Sequence, residues 1–148
     1  EGQSSCYMLD TVLIHPESRA TLVDQKIQDQ GWFNLGRHLD KITVYEGNSR
    51  VILPRIADKF DIIYIDGDHS SRGAIFDSVL CWLRLKDWGY LIWDDYQKHD
   101  DGCGVNLAVN NFLACLPKHQ YKVIQLCVQA LFVDSMRIHK NSDKINVM

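Results

Sequence analysis

The sequence predicts an α/β fold in which a doubly wound, mostly parallel sheet ends in a C-terminal antiparallel hairpin. Helical and strand patterns alternate at short intervals along the 148 residues, which is typical of a parallel sheet covered by helices on both faces. The run Phe60–Ile65 is almost continuously apolar and β-branched, as in strands that are buried on both faces. We expect one domain, at 1–137, and a flexible tail at 138–148.

The N-terminal part of the chain alternates two helices with two short strands. In order, the patterns predict a helix at 4–14, a strand at 20–24, a helix at 30–39 and a strand at 42–45. Ser4 or Ser5 is available to cap the first helix, and His15-Pro16 ends it. The first strand finishes at an acid, Asp24.

The C-terminal part alternates three helices with two strands before the hairpin. The patterns predict a helix at 51–56 with Pro54 in its first turn, a strand at 60–65 and a helix from Ser70-Ser71 to Lys86. A strand at 89–93 and a helix from Val105 that ends before Pro117 follow. The hairpin strands are predicted at 121–128 and 130–133. Ser70-Ser71 supplies the cap of the helix that ends at Lys86. Its apolar face is predicted from Ile75, Val79, Trp82 and Leu83.

The composition excludes several classes of function. The formal net charge of -3 gives no electrostatic reason to expect nucleic acid as a partner, because nucleic-acid binders concentrate Lys and Arg. No stretch approaches the roughly 20 apolar residues of a membrane-spanning helix, and the N-terminus lacks a signal-peptide pattern. The five cysteines show no zinc-type spacing, and we interpret them as reduced, with Cys103 the most exposed. We therefore expect a cytoplasmic protein without a membrane partner.

Acidic side chains follow two predicted strands at the point where each strand ends. Asp66 and Asp68 come after the first of these strands, and Asp94 and Asp95 come after the next one. Doubly wound sheets bind their ligands at this edge, and clustered carboxylates suit Mg²⁺ or Ca²⁺ better than zinc. The alternative for any single acid is that it caps the following helix or faces water.

The segment FDIIYIDGDHSSRGAIFDSVLCWLRLKDWGYLIWDDY resembles the core of class I S-adenosylmethionine-dependent methyltransferases, specifically the small-molecule O-methyltransferase group with macrocin O-methyltransferase-like members. The resemblance implies a Rossmann-like methyltransferase fold with S-adenosylmethionine as cofactor, to which Asp66 contributes. It also implies that Asp66, Asp94 and Asp95 bind a divalent cation, commonly Mg²⁺, which positions and polarises an acceptor hydroxyl. His69 is then a candidate catalytic base, and its alternative is a loop histidine bonded to Asp68 or to nearby backbone.

Further residues match family positions that contact the cofactor. The first five residues, EGQSS, are similar to the tail of the glycine-rich first motif, which makes Gly2 and Ser4 candidates for binding the methionine portion. Helix capping is the alternative role for Ser4. By the same resemblance, Asp24 corresponds to the acid that binds the ribose, and Asn48 and Ser49 lie in the loop that borders the adenine.

The chain departs from the family pattern at its start. The family's first strand lies at the sheet centre, between the strands that here end at Asp24 and Asp66, and it has no counterpart in the sequence. The two flanking strands would then expose unpaired backbone groups. Three outcomes are open: the sequence is a fragment, the two strands pair directly, or a strand from elsewhere fills the gap, such as 144–148 or a second copy in a homo-oligomer.

The sequence therefore favours a metal-assisted, S-adenosylmethionine-dependent O-methyltransferase that acts on a small hydroxylated molecule, for example a sugar or a phenol. Tyr96 follows the paired acids and is a candidate for contact with this acceptor, whereas Trp93 is expected in the core. One alternative is a non-catalytic methyltransferase-fold relic or interaction module that has lost cofactor binding. Another is an enzyme of the same fold with different chemistry, such as the cephalosporin-hydroxylase-like relatives, because fold does not fix reaction.

Overall fold

The computed structural model describes residues 2–98, 103–126 and 131–135. The chain forms two compact units, Glu1–Ile56 and Ala57–Met148, and each contains its own sheet. Within the described ranges, none of the helices has the length and apolarity that crossing a membrane requires. The predicted tail at 138–148 lies outside these ranges, so the expected domain boundary at 137 stays a prediction.

The N-terminal unit is built around two parallel strands. Its elements are helix α1 (Gln3–Thr11), strand β1 (Ala20–Asp24), helix α2 (Asp29–Leu35), strand β2 (Ile42–Glu46) and helix α3 (Ser49–Ile52), with 3₁₀ turns at Gly36–His38 and Leu53–Arg55. The register places Ala20 opposite Ile42 and Asp24 opposite Glu46, so two acids end the strands side by side. The side chain of Leu35 is 1% exposed and forms part of the core of this unit.

The helices of the N-terminal unit differ from the prediction at their ends. Gly2, with a φ of 78°, is the N-cap of α1, so Ser4 lies inside the first turn and does not cap the helix. The helix ends at Thr11, earlier than predicted, because the next two backbone N–H groups both bond to the carbonyl of Met8. Pro54 lies in the 3₁₀ turn after α3 rather than in a first helical turn.

The C-terminal unit contains a four-stranded mixed sheet. Its elements are strand β3 (Phe60–Ile65), helix α4 (Ser71–Arg84), strand β4 (Leu85–Trp93), helix α5 (Val105–Cys115), a 3₁₀ turn (Lys118–Gln120), strand β5 (Tyr121–Leu126) and strand β6 (Leu131–Ser135). The strand order is β3-β4-β6-β5, in which β3 and β4 are parallel and β6 is antiparallel to both of its neighbours. The predicted α/β class and the antiparallel hairpin are confirmed, with the connecting residues 127–130 outside the described part.

The strands that end at Asp24 and Ile65 belong to two different sheets in the described part of the chain. Direct pairing of these strands, one of the three outcomes that the sequence left open, is therefore not observed. Strand β4 also begins earlier than predicted, at Leu85 instead of Gly89, because Leu85 pairs with Phe60 before the chain bulges. Trp88 lies in this bulge with a positive φ of 66°.

Helix α4 begins as predicted, but its buried face matches the predicted one only in part. The hydroxyl of Ser70 accepts a hydrogen bond from the backbone N–H of Gly73 at 3.1 Å, which confirms the predicted cap. Val79 and Leu83, which were predicted on the apolar face, are 45% and 57% exposed. Trp82 is buried as predicted, and the other buried positions are Gly73, Ala74, Asp77, Ser78 and Cys81. Small side chains allow the helix backbone to approach β3, β4 and α5 closely, so they select the buried face.

Trp93, the last residue of β4, lies in the core as predicted and is fully buried. Its indole N–H donates to the hydroxyl of Ser78 at 2.8 Å, and that hydroxyl donates to the carbonyl of Ala74 at 2.6 Å. The ring of Phe112 packs against the rings of Trp93 and Trp82 with centroid distances of 5.9 Å. These contacts join β4, α4 and α5 directly beneath the acids that follow Trp93.

The described cysteines are free thiols in different environments. Burial, followed by the negative charge of Asp77, raises the pKa of the Cys81 thiol to about 12. This thiol is therefore neutral and unreactive at physiological pH. Cys115 is exposed and Cys103 only half-buried, so the prediction that Cys103 is the most exposed thiol was wrong. Its sulfur lies 3.9 Å from the carbonyl oxygen of Asp95, against the turn after β4.

We expect Ser78→Ala to lower the free energy of unfolding by about 1–3 kcal/mol, because the buried indole N–H of Trp93 loses its acceptor. Urea denaturation measures this change. In a Trp93→Phe background the same Ser78→Ala substitution leaves no N–H unpaired and should cost clearly less. Equal costs in the two backgrounds would show that this hydrogen bond does not contribute to stability.

Candidate active site at the ends of strands β3 and β4

The parallel pairing of β3 and β4 brings their carboxyl ends to one edge of the sheet. Ile65 lies opposite Trp93, and the backbone N–H of Asp94 donates to the carbonyl of Ile65 at 3.0 Å. The next residue after each strand is an acid, Asp66 after β3 and Asp94 after β4. The acids that the sequence predicted to converge are therefore neighbours.

Three side chains at this edge form a compact polar group, Asp66, His69 and Asp95. Each offers one metal-ligand atom, and these atoms lie within 4.8 Å of one another. The Nε2 atom of His69 is 3.5 Å from Oδ1 of Asp66 and 3.3 Å from Oδ2 of Asp95. Asp95 is the least exposed of the three, at 19%, and the Nζ of Lys98 lies 3.6 Å from its carboxylate. We call Asp66, His69 and Asp95 the acid–histidine group.

Asp94 lies beside this group but has different partners. Its Oδ2 accepts a hydrogen bond from the hydroxyl of Tyr64 at 2.6 Å, and its Oδ1 accepts one from the backbone N–H of Asp95 at 3.0 Å. The structure thus brings Asp66 and Asp95 together with His69, whereas Asp94 is held against β3. The contact between Tyr64 and Asp94 was not predicted, because Tyr64 was assigned to a strand buried on both faces. In the structure Tyr64 is 37% exposed.

Asp95 has an unusual backbone conformation, with a φ of 54°. Left-handed φ values are uncommon for residues other than glycine, although Asp and Asn tolerate them better than most. The carbonyl of Asp95 accepts a hydrogen bond from the backbone N–H of Lys98 at 3.0 Å, which closes a turn directly after the strand. This turn sets the direction in which the Asp95 carboxylate leaves the backbone.

The loop that carries His69 is fixed by local hydrogen bonds. Asp68 accepts a hydrogen bond from the backbone N–H of Ser70 at 3.0 Å, so this acid supports the start of α4, as the capping alternative expected. The carbonyl of His69 accepts a hydrogen bond from the backbone N–H of Gly104 at 2.8 Å. A Cβ at Gly104 would lie 1.9 Å from Oγ and 2.4 Å from the backbone N of Ser71. Glycine is therefore required for the segment before α5 to approach this loop.

The N-terminal unit carries most of the residues that the sequence assigned to the cofactor. Asp24, at the end of β1, is exposed, and its Oδ1 accepts the backbone N–H of Lys26 at 3.1 Å. Beside it, the carboxylate of Glu46 accepts the backbone N–H of Ile27 at 3.0 Å. The sequence did not single out Glu46, although its place at the end of β2 was the available signal.

The loop after β2 contains the residues expected near the adenine. Gly47, with a φ of 142°, donates its N–H to the carbonyl of Asp24 at 2.7 Å. Asn48 caps α3, because its Oδ1 accepts the backbone N–H of Arg50 at 2.9 Å, and Ser49 is the first residue of that helix. A separate cleft of about 470 Å³ in this unit is lined by Gln3, Cys6, Phe33, Asn34 and Arg37. None of its lining residues was predicted to bind the cofactor.

Residues 1–96 match the sequence model of a family described as a methyltransferase domain. The chain belongs to this methyltransferase family. This methyltransferase domain is also 32% identical over 92 residues to the uncharacterised protein R132 of Acanthamoeba polyphaga mimivirus, a match that covers 60% of the chain and 42% of R132. The chain therefore spans less than half the length of this curated relative.

Solved structures of O-methyltransferases have the same fold. TomG from Streptomyces achromogenes, in complex with S-adenosylmethionine, is 13% identical with a TM-score of 0.70, and the match covers 92% of this chain and 69% of TomG. NovP is 15% identical with a TM-score of 0.66, and the match covers 90% of this chain and 67% of NovP. The predicted membership of the methyltransferase family is confirmed by the family match, and the two solved structures show the same fold.

We expect Gly104→Ala to destabilise the domain by about 1–3 kcal/mol, because the added methyl group overlaps the backbone of Ser71 and forces the loop to move. Thermal unfolding measures this loss. Gly36→Ala is the matched control, since a Cβ at Gly36 meets no atom within 4 Å. If the two variants unfold at the same temperature, the close approach of Gly104 to Ser71 is not a constraint on the fold.

Proposed function

We propose that this chain is an S-adenosylmethionine-dependent, divalent-metal-assisted O-methyltransferase that acts on a small hydroxylated molecule. The observation that carries the proposal is the acid–histidine group at the ends of β3 and β4, in a chain of the methyltransferase family. Doubly wound sheets bind ligands at this edge, where side chains from different loops converge. The O-methyltransferase fold of TomG and NovP supports the same reaction class.

The donor set of the acid–histidine group fits a divalent cation. Mg²⁺ and Mn²⁺ take octahedral coordination with bonds of about 2.1 Å, so adjacent ligand atoms lie about 3 Å apart. The ligand atoms of Asp66 and Asp95 lie within 4.8 Å of each other, and small side-chain movements would bring both carboxylates onto one cation. These two carboxylates are therefore the proposed metal ligands. Asp94 is the third candidate, and the hydroxyl of Tyr64 would orient its carboxylate.

His69 is proposed to take the proton of the acceptor hydroxyl. A bound cation would lower the pKa of that hydroxyl and hold its oxygen in place for attack on the methyl group. The imidazolium that forms would be stabilised by the carboxylates of Asp66 and Asp95, which lie within 3.5 Å of the ring nitrogen. Positioned bases of this kind typically raise the rate about 10²- to 10⁴-fold.

The cofactor is proposed to bind through residues at the ends of β1 and β2 and at the start of α1. Asp24 would accept the ribose hydroxyls, since its carboxylate is exposed at a strand end and only one oxygen is needed for the turn to Lys26. Asn48 and Ser49 would border the adenine, and Gly2 and Ser4 the methionine portion. Asp66, which the sequence also assigned to the cofactor, belongs to the C-terminal unit, and that assignment stays a prediction.

Asp24→Asn should weaken binding of S-adenosylmethionine roughly 10- to 100-fold, because hydrogen bonds to a charged group are worth about 1.5–3 kcal/mol. Isothermal titration calorimetry measures the dissociation constant. The amide keeps an oxygen for the N–H of Lys26, so the turn is preserved. Asp40→Asn, at an exposed position of the same unit, is the control with the same charge change. A folded wild-type protein without detectable affinity for the cofactor would favour the non-catalytic relic instead.

His69→Ala should lower turnover by about 10²- to 10⁴-fold while the affinity for Mg²⁺ changes little. Formation of S-adenosylhomocysteine with a panel of phenols and sugars reports turnover, and calorimetric titration with Mg²⁺ reports affinity. Asp95→Asn should instead weaken Mg²⁺ binding at least about tenfold, because a ligand charge is lost.

Asp58→Asn is the control for the loss of charge, since Asp58 is exposed and belongs to the same unit as the acid–histidine group. If His69→Ala lowers the affinity for Mg²⁺ as much as Asp95→Asn does, His69 is a metal ligand and not the base. If Asp95→Asn and Asp58→Asn bind Mg²⁺ equally, Asp95 has no part in the metal site.

A further inference from the structure

The turn after β4 adopts a conformation that needs support from outside the turn. Asp95 has a φ of 54°, and a left-handed backbone costs a residue with a Cβ on the order of 1 kcal/mol. Such conformations persist only where the surroundings hold them. Asp95 is also the least exposed member of the acid–histidine group. The direction of its carboxylate depends on this backbone angle, because the angle sets where Cβ lies.

Helix α5 supplies this support through three hydrogen bonds that form a closed ring. The hydroxyl of Tyr96 donates to Oδ1 of Asn110 at 2.9 Å, and the amide of Asn110 donates to Oδ1 of Asn106 at 2.9 Å. The amide of Asn106 then donates to the backbone carbonyl of Tyr96 at 3.3 Å. Both the side chain and the main chain of Tyr96 are thereby attached to the helix. The residue that follows Asp95 cannot rotate without breaking the ring.

The two asparagines lie on a helix that is itself firmly packed. Asn106 and Asn110 are four residues apart and therefore share one face of α5. The adjoining face of the helix is buried through Val105, Ala108, Val109, Phe112 and Leu113. Phe112 contacts the rings of both Trp82 and Trp93. The ring of hydrogen bonds thus connects the turn at Asp95 to the core of the C-terminal unit.

We propose that Asn106 and Asn110 are positioning residues that hold the Asp95 carboxylate in the acid–histidine group. This inference rests on the proposed function, because it gives the two asparagines a part in metal binding. Neither side chain touches the reacting atoms, and both act through Tyr96. When the ring is opened, Asp95 relaxes from the left-handed region toward the more favourable right-handed or extended regions. Its carboxylate then turns away from Asp66 and His69.

The assignment also changes the part of Tyr96. The sequence made this residue a candidate for contact with the acceptor, yet its hydroxyl is bonded to Asn110. Tyr96→Phe therefore opens the same ring as Asn110→Ala, at the other end of the same hydrogen bond. The two substitutions should lower the affinity for the metal by the same factor. The double variant should bind the metal as tightly as either single variant, because both changes break the same hydrogen bond.

The test uses the whole chain with Mn²⁺ alone as the probe, and the electron paramagnetic resonance signal of free Mn²⁺ gives the dissociation constant. We expect the affinity for Mn²⁺ to fall roughly 10- to 100-fold in each of the variants Asn106→Ala, Asn110→Ala and Tyr96→Phe, the range seen when groups that orient metal ligands are removed. Asn111→Ala is the matched control, because Asn111 is the next residue on α5 and is exposed. It should bind Mn²⁺ as the wild type does.

Amide hydrogen exchange in the metal-free protein separates positioning from general destabilisation. In the three ring variants, the N–H groups of Asp95 and Lys98 should exchange about tenfold faster, since both lie in the turn. The core amides of β4 should exchange as in Asn111→Ala. Faster exchange throughout the unit would overturn the proposal, because the asparagines would then have a structural role only.

The Mn²⁺ titrations distinguish the loss of the positioning role from the absence of a metal site. If the three ring variants bind Mn²⁺ as tightly as the wild type does, the positioning role is overturned, while the metal site itself is supported. A wild-type protein that does not bind Mn²⁺ contradicts metal assistance itself, and the positioning role is overturned with it. Weaker binding in all three ring variants, with Asn111→Ala unchanged, supports both.

Discussion

The parallel pairing of β3 with β4 is the interaction on which the candidate site depends. It places Ile65 opposite Trp93, so the next residue of each strand begins its loop at the same height of the sheet. A shift of one residue in this register would turn every side chain of the shifted strand to the other face and offset the two loops. The hydrogen bond from the N–H of Asp94 to the carbonyl of Ile65 extends the pairing into the first acid. The convergence of the carboxylates follows from strand geometry.

The register is in turn held by packing under the sheet edge. Trp93 is fully buried between α4 and α5, and its N–H is bonded to Ser78. Because the next residues of the chain are the acids, any movement of this indole would be transmitted to them. The small residues on the buried face of α4 permit the close approach that encloses Trp93. The core and the site are therefore parts of one arrangement in the C-terminal unit.

Much of the fold could be predicted because its signals are local. The strands at 20–24 and 60–65 were predicted at their observed bounds, since apolar runs that end in acids are short-range patterns. The buried face of α4 could not be predicted in the same way, because it depends on how closely its partners approach. Val79 and Leu83 are large and apolar, but the sheet and α5 pack against Ala74 and Ser78.

The acids of the site were also visible in the sequence, but their partners were not. Strand ends placed Asp66 and Asp95 at one edge, which needs only the rule that parallel strands share their carboxyl ends. The bond from Tyr64 to Asp94 depends on which face of β3 the tyrosine occupies. The ring through Asn106 and Asn110 depends on how α5 is rotated against the loop. Neither is a property of a short segment, so neither could be inferred from spacing.

The left-handed backbone at Asp95 also limits which residues evolution can accept at this position. Glycine adopts such a φ without strain and asparagine about as readily as aspartate, whereas most other residues are more strained there. Asparagine retains an oxygen donor but carries no charge, whereas glycine offers no side chain at all. A single-step exchange with asparagine would therefore make the site one unit less negative without altering the path of the chain. The charge of the acid–histidine group can therefore change at this position while its backbone geometry is kept.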